Sequence, residues 1–329
     1  MTNKRHALAL FSGGLDSMIS IKLMVEQGIK VTAINMNIGF GSRIDVSKTM
    51  KRRAELAGAE FRIIDVRDDY IKKVLFNPKY GYGKHFNPCI DCHGFMFRVA
   101  KEYLEELNAD FMVTGEVLGQ RPMSQRAEAL DLVKKLALDE DDLILRPLCA
   151  KNLPITKPER EGWVDREKLL NISGRNREVQ LQLTKDFGWE DFQSPGGGCL
   201  LTDTNFTKKM REFLEHSPLH VEDIDVLKNG RHLRLPDGAK LVIGRDQAEN
   251  IFLENAISDK YIKVKVDEIP GPFALLCADA TKEDRALSAR LLLTFTKVVF
   301  DTKYSVYVGD ETIEELPLTT REDAHKYLV

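Results

Sequence analysis

The sequence predicts an α/β chain: a doubly wound parallel sheet in its N-terminal part, followed by a smaller C-terminal α+β domain. Three observations predict it. Short apolar runs alternate with helix-period stretches from residue 7 to about residue 115. Ser12-Gly13-Gly14 breaks the first run just where a helix begins. Near residue 205 the texture changes to short alternating runs separated by turns. Alternation of the first kind calls for a sheet covered on both faces.

Residues 7–11 are a continuous apolar run, as a buried parallel strand requires. Residues 17–27 carry Ile19 and Leu23 at helical spacing, with Gly28 as the C-cap. A second strand follows over 30–37, a helix over 46–57, a third strand over 60–66, a helix over 95–107 and a fourth strand over 110–115. Residues 120–170 mix Arg, Pro and acidic clusters and predict helices and loops outside the sheet. Beyond residue 205 a helix is expected over 206–216. Strands at 231–235 and 240–243 are joined by the turn Pro236-Asp237-Gly238. Further strands fit 261–266, 273–277 and 305–308. The predicted domains are therefore 1–204 and 205–329.

At 329 residues the chain has room for two cores. Hydrophobic residues at 43% and charged residues at 30% are those of a soluble globular protein. A formal net charge of −3 excludes bulk attraction to nucleic acid, so any such contact must be a local patch. The start reads as no export signal and no run is long enough to span a membrane. The five cysteines are odd in number, which suits a reducing compartment; a cytoplasmic protein is expected.

Three segments carry chemistry. Ser12-Gly13-Gly14-Leu15-Asp16-Ser17 joins a strand to a helix. Its glycines let backbone approach an anion, the helix start offers free amides, and Ser12 and Ser17 add hydroxyls. Asp16 beside a phosphate site is explained if it holds Mg²⁺. No Gly-Lys-[Ser/Thr] follows, so this is not a Walker loop. The second segment is Asn87-Pro88-Cys89-Ile90-Asp91-Cys92-His93. Haem attachment would need export; a redox pair or a zinc site, with His85 or His93 joining the thiols, stays open. The third is Gly196-Gly197-Gly198-Cys199. Cys89, Cys92 and Cys199 would give three thiolates, enough to hold a [4Fe–4S] cluster with one iron open to sulfide. A persulfide on Cys92 resolved by Cys199 is the other design. Cys149 and Cys277 lie in apolar runs and read as core.

The hexad resembles the PP-loop of the ATP pyrophosphatases, of HUP-like fold, which implies ATP and adenylation of a substrate oxygen. In that family the second strand cradles adenine, which implies Asn35, Met36 and Asn37 here. Asn-Pro-Cys-x-x-Cys after such a loop is similar to the tRNA 2-thiouridylases. That likeness implies Cys92 and Cys199 as the catalytic pair, with Cys89 as a further cluster ligand. Thr114-Gly115-Glu116-Val117-Leu118-Gly119-Gln120, then Ser124-Gln125 and Arg146-Pro147-Leu148, resembles the tRNA 4-thiouridine synthases. Thr114 and Gly115 then lie near the nucleotide, at the strand's carboxyl end, and Glu116 and Gln120 are candidates to orient base or metal. Residues 227–250 look like the RNA-binding module of the NFACT proteins, which implies Lys228, Arg231, Arg234, Lys240 and Arg245 as phosphate contacts.

The expectation is an ATP-dependent tRNA thiolase: a nucleobase carbonyl oxygen is adenylated and sulfur replaces it. Its partners would be tRNA and a sulfur donor, either sulfide or a persulfide carrier protein, and no membrane. The alternatives are an amide- or nitrile-forming PP-loop ligase with structural zinc, or a non-catalytic ATP- and RNA-binding protein. Oligomeric state, the RNA position and the donor are not legible.

Overall fold

The computed structural model describes residues 4–42, 45–193, 199–267 and 269–329. The chain divides into two compact units, Met1–Asp203 and Thr204–Val329.

In the first unit β1 (His6–Leu10), α1 (Leu15–Val25), β2 (Lys30–Asn37), α2 (Ser47–Ala57) and β3 (Glu60–Asp65) follow one another. Then come α3 (Arg67–Tyr70) with a π-turn over Ile71–Leu75, α4 (Cys89–Glu106), β4 (Phe111–Thr114) and α5 (Ala127–Leu136). β5 (Ile144–Leu145), α6 (Lys157–Arg160) and α7 (Glu178–Asp186) complete it. All five strands are parallel in the order β3-β2-β1-β4-β5. The inner strands are buried on both faces, as their predominantly apolar sequences require. α1 packs with α2 and α7, and α4 with α5, which gives the doubly wound α/β sheet.

Two expectations need correction. Residues 120–170 do contribute to the sheet, because Ile144 and Leu145 pair with Met112 and Val113. Two residues are too few to show a period; the strand is held by Asp139, which accepts from the Leu143 and Ile144 amides at 2.8 and 3.1 Å. The second concerns α4, which begins at Cys89 rather than near Phe95. Pro88 takes the N-cap position, and Asp91 in the first turn accepts from the Lys79 and Tyr80 amides at 2.7 and 3.0 Å. Both cysteines of the pair thus lie on a helix start, not in a loop.

The second unit holds α8 (Thr204–Leu214), α9 (Val221–Lys228), β6 (Arg231–Arg234), β7 (Lys240–Ile243), α10 (Gln247–Asn255) and β8 (Tyr261–Val266). β9 (Ala274–Cys277), α11 (Lys282–Thr294), β10 (Tyr304–Val308), β11 (Glu311–Glu315) and α12 (Arg321–His325) follow. Its six strands run antiparallel in the order β11-β10-β8-β9-β7-β6. Alternate residues Leu241, Val264, Leu276, Val306 and Val308 face α11 in the main core. Val242, Leu275 and Phe273 turn the other way, against Val226 and Leu253 of α9 and α10. The strand β11 was not anticipated; Glu-Thr-Ile-Glu-Glu is a charged edge strand with little apolar signal.

Candidate active site

β4 follows β3 in the chain but lies on the far side of β1, so the strand order reverses between β1 and β4. Open α/β sheets take ligands at that place, outside the carboxyl ends. The loop Ser12–Ser17 and the segment Thr114–Gln120 are the two ends that meet there.

Gly13 adopts left-handed backbone, φ +73°, and a Cβ on it would lie 2.9 Å from Met50 Cγ, so the position requires glycine. The Arg53 guanidinium donates to the Gly13 carbonyl at 3.1 Å and also bonds Asp191. Gly14 is extended and precedes α1, whose first turn closes when the Met18 amide reaches the Gly14 carbonyl at 3.1 Å. The amides of Leu15, Asp16 and Ser17 precede that bond and point out of the helix start, as an anion needs. Ser12 is exposed, and Ser17 donates its hydroxyl to the Gly14 carbonyl at 2.8 Å.

Asp16 is gripped from two elements that sequence reasoning did not connect. Gln120 donates to Oδ2 at 2.7 Å and Gln180 to Oδ1 at 3.3 Å, while the Arg177 guanidinium lies 3.6 Å from Oδ2. Gln180 is fully buried on α7, and its carbonyl oxygen has no partner among the described residues. Gly115 has a packing role: a Cβ there would lie 2.5 Å from the Ser17 nitrogen and 2.6 Å from the Asp16 carbonyl carbon. Thr114 is buried, its hydroxyl accepting from the Glu116 amide at 3.3 Å. At the end of β2, Met36 is buried, Asn35 donates to the Phe11 carbonyl at 2.9 Å, and Asn37 accepts from the Gly39 amide at 3.0 Å. Both asparagine side chains thus brace backbone.

The three cysteines share a neighbourhood, each near enough to Tyr70 to bear on its phenol. Ionisation of Cys92 is opposed first by its burial, then by Cys199 and Cys89; that of Cys199 by burial, then Cys89. Tyr70 is buried, and its phenol is pushed up by burial and by all three thiols. Its hydroxyl has no hydrogen-bond partner of good geometry among the described residues. Cys92 is held far above the usual thiol range and Cys199 is pushed up to about 11. The helix start at Cys89 and Cys92 would favour thiolates, but burial outweighs it here. Cys199 is placed by the Leu200 amide, which donates to the Phe40 carbonyl at 2.9 Å. Gly196, Gly197 and Gly198 lie outside the described residues. Among the described residues no group of three or more His, Cys, Asp or Glu side chains, the three cysteines included, is arranged so that it could hold a metal ion as it stands.

A buried ionic network ties the thiols to the loop. Glu116 accepts from His93 Nδ1 at 2.6 Å and from Arg146 Nε at 3.0 Å. Burial opposes its charge, yet Arg146 and His93 hold the carboxyl below the usual range. His93 follows Cys92 on α4, and Glu116 follows Gly115, which packs on Asp16 and Ser17. One terminal nitrogen of Arg146 is buried without a partner among the described residues. Arg53, Tyr70, Arg177 and Gln180 are what the sequence hid, since each meets the site through contacts between residues far apart in the chain. Cys149 is buried, as expected of core, and Cys277 is half-buried at the end of β9.

In the second unit the cations expected to face phosphate mostly face acids. Glu212 binds both Arg234 and Lys240, and Lys240 is buried, which corrects its expected role. Arg245 pairs with Glu249, and Lys228 with Asp225 at 2.7 Å. Arg231 sits over the Phe295 ring at 5.0 Å.

A parallel sheet with a glycine-bent anion loop at its switch point is the PP-loop, HUP-like architecture. Residues 2–154 match the family model of the thiamine biosynthesis protein ThiI, and residues 230–327 that of the NFACT protein RNA binding domain. The chain is 24% identical over 274 residues to a tRNA-specific 2-thiouridylase MnmA 2 of Fusobacterium nucleatum, covering 82% of this chain and 76% of that one. It is 31% identical over 121 residues to a tRNA-specific 2-thiouridylase MnmA of Acidithiobacillus ferrooxidans, but spans only 34% of that relative's length. A solved 4-thiouridine synthetase–RNA complex with bound ATP aligns at TM-score 0.39 and 20% identity, over 68% of this chain and 52% of that one. That structural likeness is loose and adds nothing to the topology above. The resemblance to the PP-loop tRNA-thiolation enzymes, with a C-terminal NFACT-like module, stands on the sequence matches. Among the described residues no helix is long and apolar enough to cross a membrane.

Proposed function

We propose that this chain is a cytoplasmic ATP-dependent tRNA thiolase, with residues 1–204 as the sulfurtransferase domain and residues 205–329 as an RNA-binding module. The observation that supports the reading is that Cys89, Cys92 and Cys199 all lie near Tyr70, in the unit that also holds the Ser12–Ser17 loop.

ATP would lay its phosphates on the loop, with the amides of Leu15 to Ser17 and the hydroxyls of Ser12 and Ser17 as donors. Asp16, oriented by Gln120 and Gln180, would offer its carboxylate to Mg²⁺, which would supply charge neutralisation for the phosphates. The carbonyl oxygen of the base attacks the α-phosphorus and pyrophosphate leaves. Sulfide-level sulfur from the donor then adds to the same carbon, and AMP leaves with the oxygen. Both steps require base, phosphate and sulfur to meet within bonding reach, as a thiol cluster tied to the loop through His93 and Glu116 allows.

Three thiols are the ligand number of a cluster with one iron left over, whereas structural zinc takes four ligands. His93 binds Glu116 through Nδ1 and keeps Nε2, so zinc with His93 as the fourth ligand is the competing arrangement. Cys89, Cys92 and Cys199 would be the ligands of a [4Fe–4S] cluster, which would supply an iron for exogenous sulfide. Their side chains would have to draw together around it, since as they stand they form no metal-holding group. The protein purified without oxygen should carry about four iron and four sulfide per chain, lost in Cys199→Ala. Zinc alone would sink the cluster, and pyrophosphate release indifferent to tRNA would sink the substrate.

A further inference from the structure

The second unit carries basic groups that its own acids do not neutralise. Lys263 and Lys265 alternate along β8 with Val264 and Val266; the valines enter the core against α11, so both lysines stand on the opposite face. Both are exposed, and neither has an ion-pair partner among the described residues. Tyr307 on β10 is directly across from Lys265 in the ladder, on the same face, with the Lys265 ammonium 5.5 Å from the ring centroid. Thr312 of β11 stands across from Tyr307, and Ser305 two residues before it. Glu314 bounds the patch on the β11 side. The other half of this face is closed by α9 and α10, through Val242, Leu275 and Phe273. Among the described residues the β8–β10 half carries no such apolar layer: it presents Lys263, Lys265, the Tyr307 ring and the Ser305 and Thr312 hydroxyls, with Asp267 and Glu314 at the Ser305 end.

We propose that this open face of β8, β10 and β11 binds single-stranded RNA, with Tyr307 as a stacking platform for a base and Lys263 and Lys265 as its phosphate contacts. The inference rests on the reading that this unit binds RNA, and it names the place. A sheet displays side chains two residues apart on a common face, so a strand of nucleotides laid across β8 and β10 meets ring and ammonium together. Charge complementarity favours this face over the β6–β7 region, where Glu212 and Glu249 already occupy Arg234, Lys240 and Arg245.

The test is fluorescence anisotropy on the full chain, with a labelled uridine oligonucleotide and an unmodified tRNA transcript across a salt series. Lys263→Ala/Lys265→Ala should weaken oligonucleotide binding by roughly tenfold and flatten the log–log salt dependence by about 1 to 2. Tyr307→Leu should weaken it by about fivefold or more with the salt slope unchanged. Lys282→Ala/Lys297→Ala, which removes two exposed charges elsewhere on the unit, should bind as the parent does. If the parent binds RNA and the Lys263/Lys265 variant binds equally well with the same slope, the face is wrong while the RNA reading survives. An equal loss in the Lys282/Lys297 variant would reduce the effect to bulk charge and overturn the face as well. Failure of the parent chain to bind either RNA would overturn the RNA reading itself, and the face with it.

Discussion

The two units differ in how much buried polarity they leave unsettled. In the second, charge is mostly settled internally: Glu212 answers Arg234 and Lys240, Glu249 answers Arg245, and Lys260 answers Asp223. In the first, more polar groups are left short. The Gln27 nitrogen, the Gln180 carbonyl, the Ser124 hydroxyl and one Arg146 nitrogen are buried without partners among the described residues, against Asp223 Oδ1 and His232 Nδ1 in the second unit. Three neighbouring thiols meanwhile oppose one another's ionisation. A buried polar atom with no partner costs stability, about 1–3 kcal/mol each, so a concentration of them marks a place arranged for something other than folding. The contrast agrees with the proposal that the first unit holds the reactive site and the second presents a surface.

The largest break in that contrast should come at Cys199. Cys199→Ala should lower sulfur insertion into tRNA by on the order of 10³-fold or more, read by mass spectrometry of digested nucleosides. Pyrophosphate release should stay near the parent rate, because the Ser12–Ser17 loop is untouched. Next comes Glu116→Gln, which leaves Arg146 buried opposite a neutral group. It should destabilise the first unit by about 3–5 kcal/mol, measured by denaturant unfolding.

In the second unit Glu212→Gln should cost less, about 1–3 kcal/mol, because its carboxylate keeps some contact with water. Pairing Glu212→Leu with Lys240→Met should recover only part of that loss, because Arg234, the other partner of Glu212, keeps its charge. Lys240→Met should leave RNA affinity unaltered, since that ammonium is buried.

The smallest effect is a pH slope. His232 is buried, and burial first, with Lys209 and Lys240 beside it, holds its pKa well below the ordinary value. Below about pH 6.5 the unfolded chain therefore takes up a proton that the folded unit refuses. Stability should fall as pH drops from about 6.5, by up to about 1.4 kcal/mol per pH unit. The fall begins above the range where carboxylates titrate. His232→Leu should flatten it, as read from amide exchange in β6 and β7.

Much of the fold was legible because it rests on local signals. Unbroken apolar runs mark β1, β2 and β4, and Ser12-Gly13-Gly14 marks the turn into α1. The start of α4 was misplaced because Cys-Ile-Asp-Cys-His has no apolar period; its evidence is a carboxylate binding two distant amides. In the site, motif residues could be named from the chain, but their partners could not. Gln180 reaches Asp16 across 164 residues, and Arg53 reaches Gly13 across 40. The basic cluster at residues 228–245 misled for the converse reason: charge is visible in sequence, whereas the acid that neutralises it is visible only in space.

The most direct test of the central claim is stoichiometry under anaerobic conditions, with tRNA, ATP, Mg²⁺ and sulfide. The account predicts one AMP and one pyrophosphate for each sulfur gained by the tRNA, with sulfur gain abolished in Cys199→Ala. AMP formation without any sulfur in the tRNA, or sulfur gain unaffected in Cys199→Ala, would contradict it.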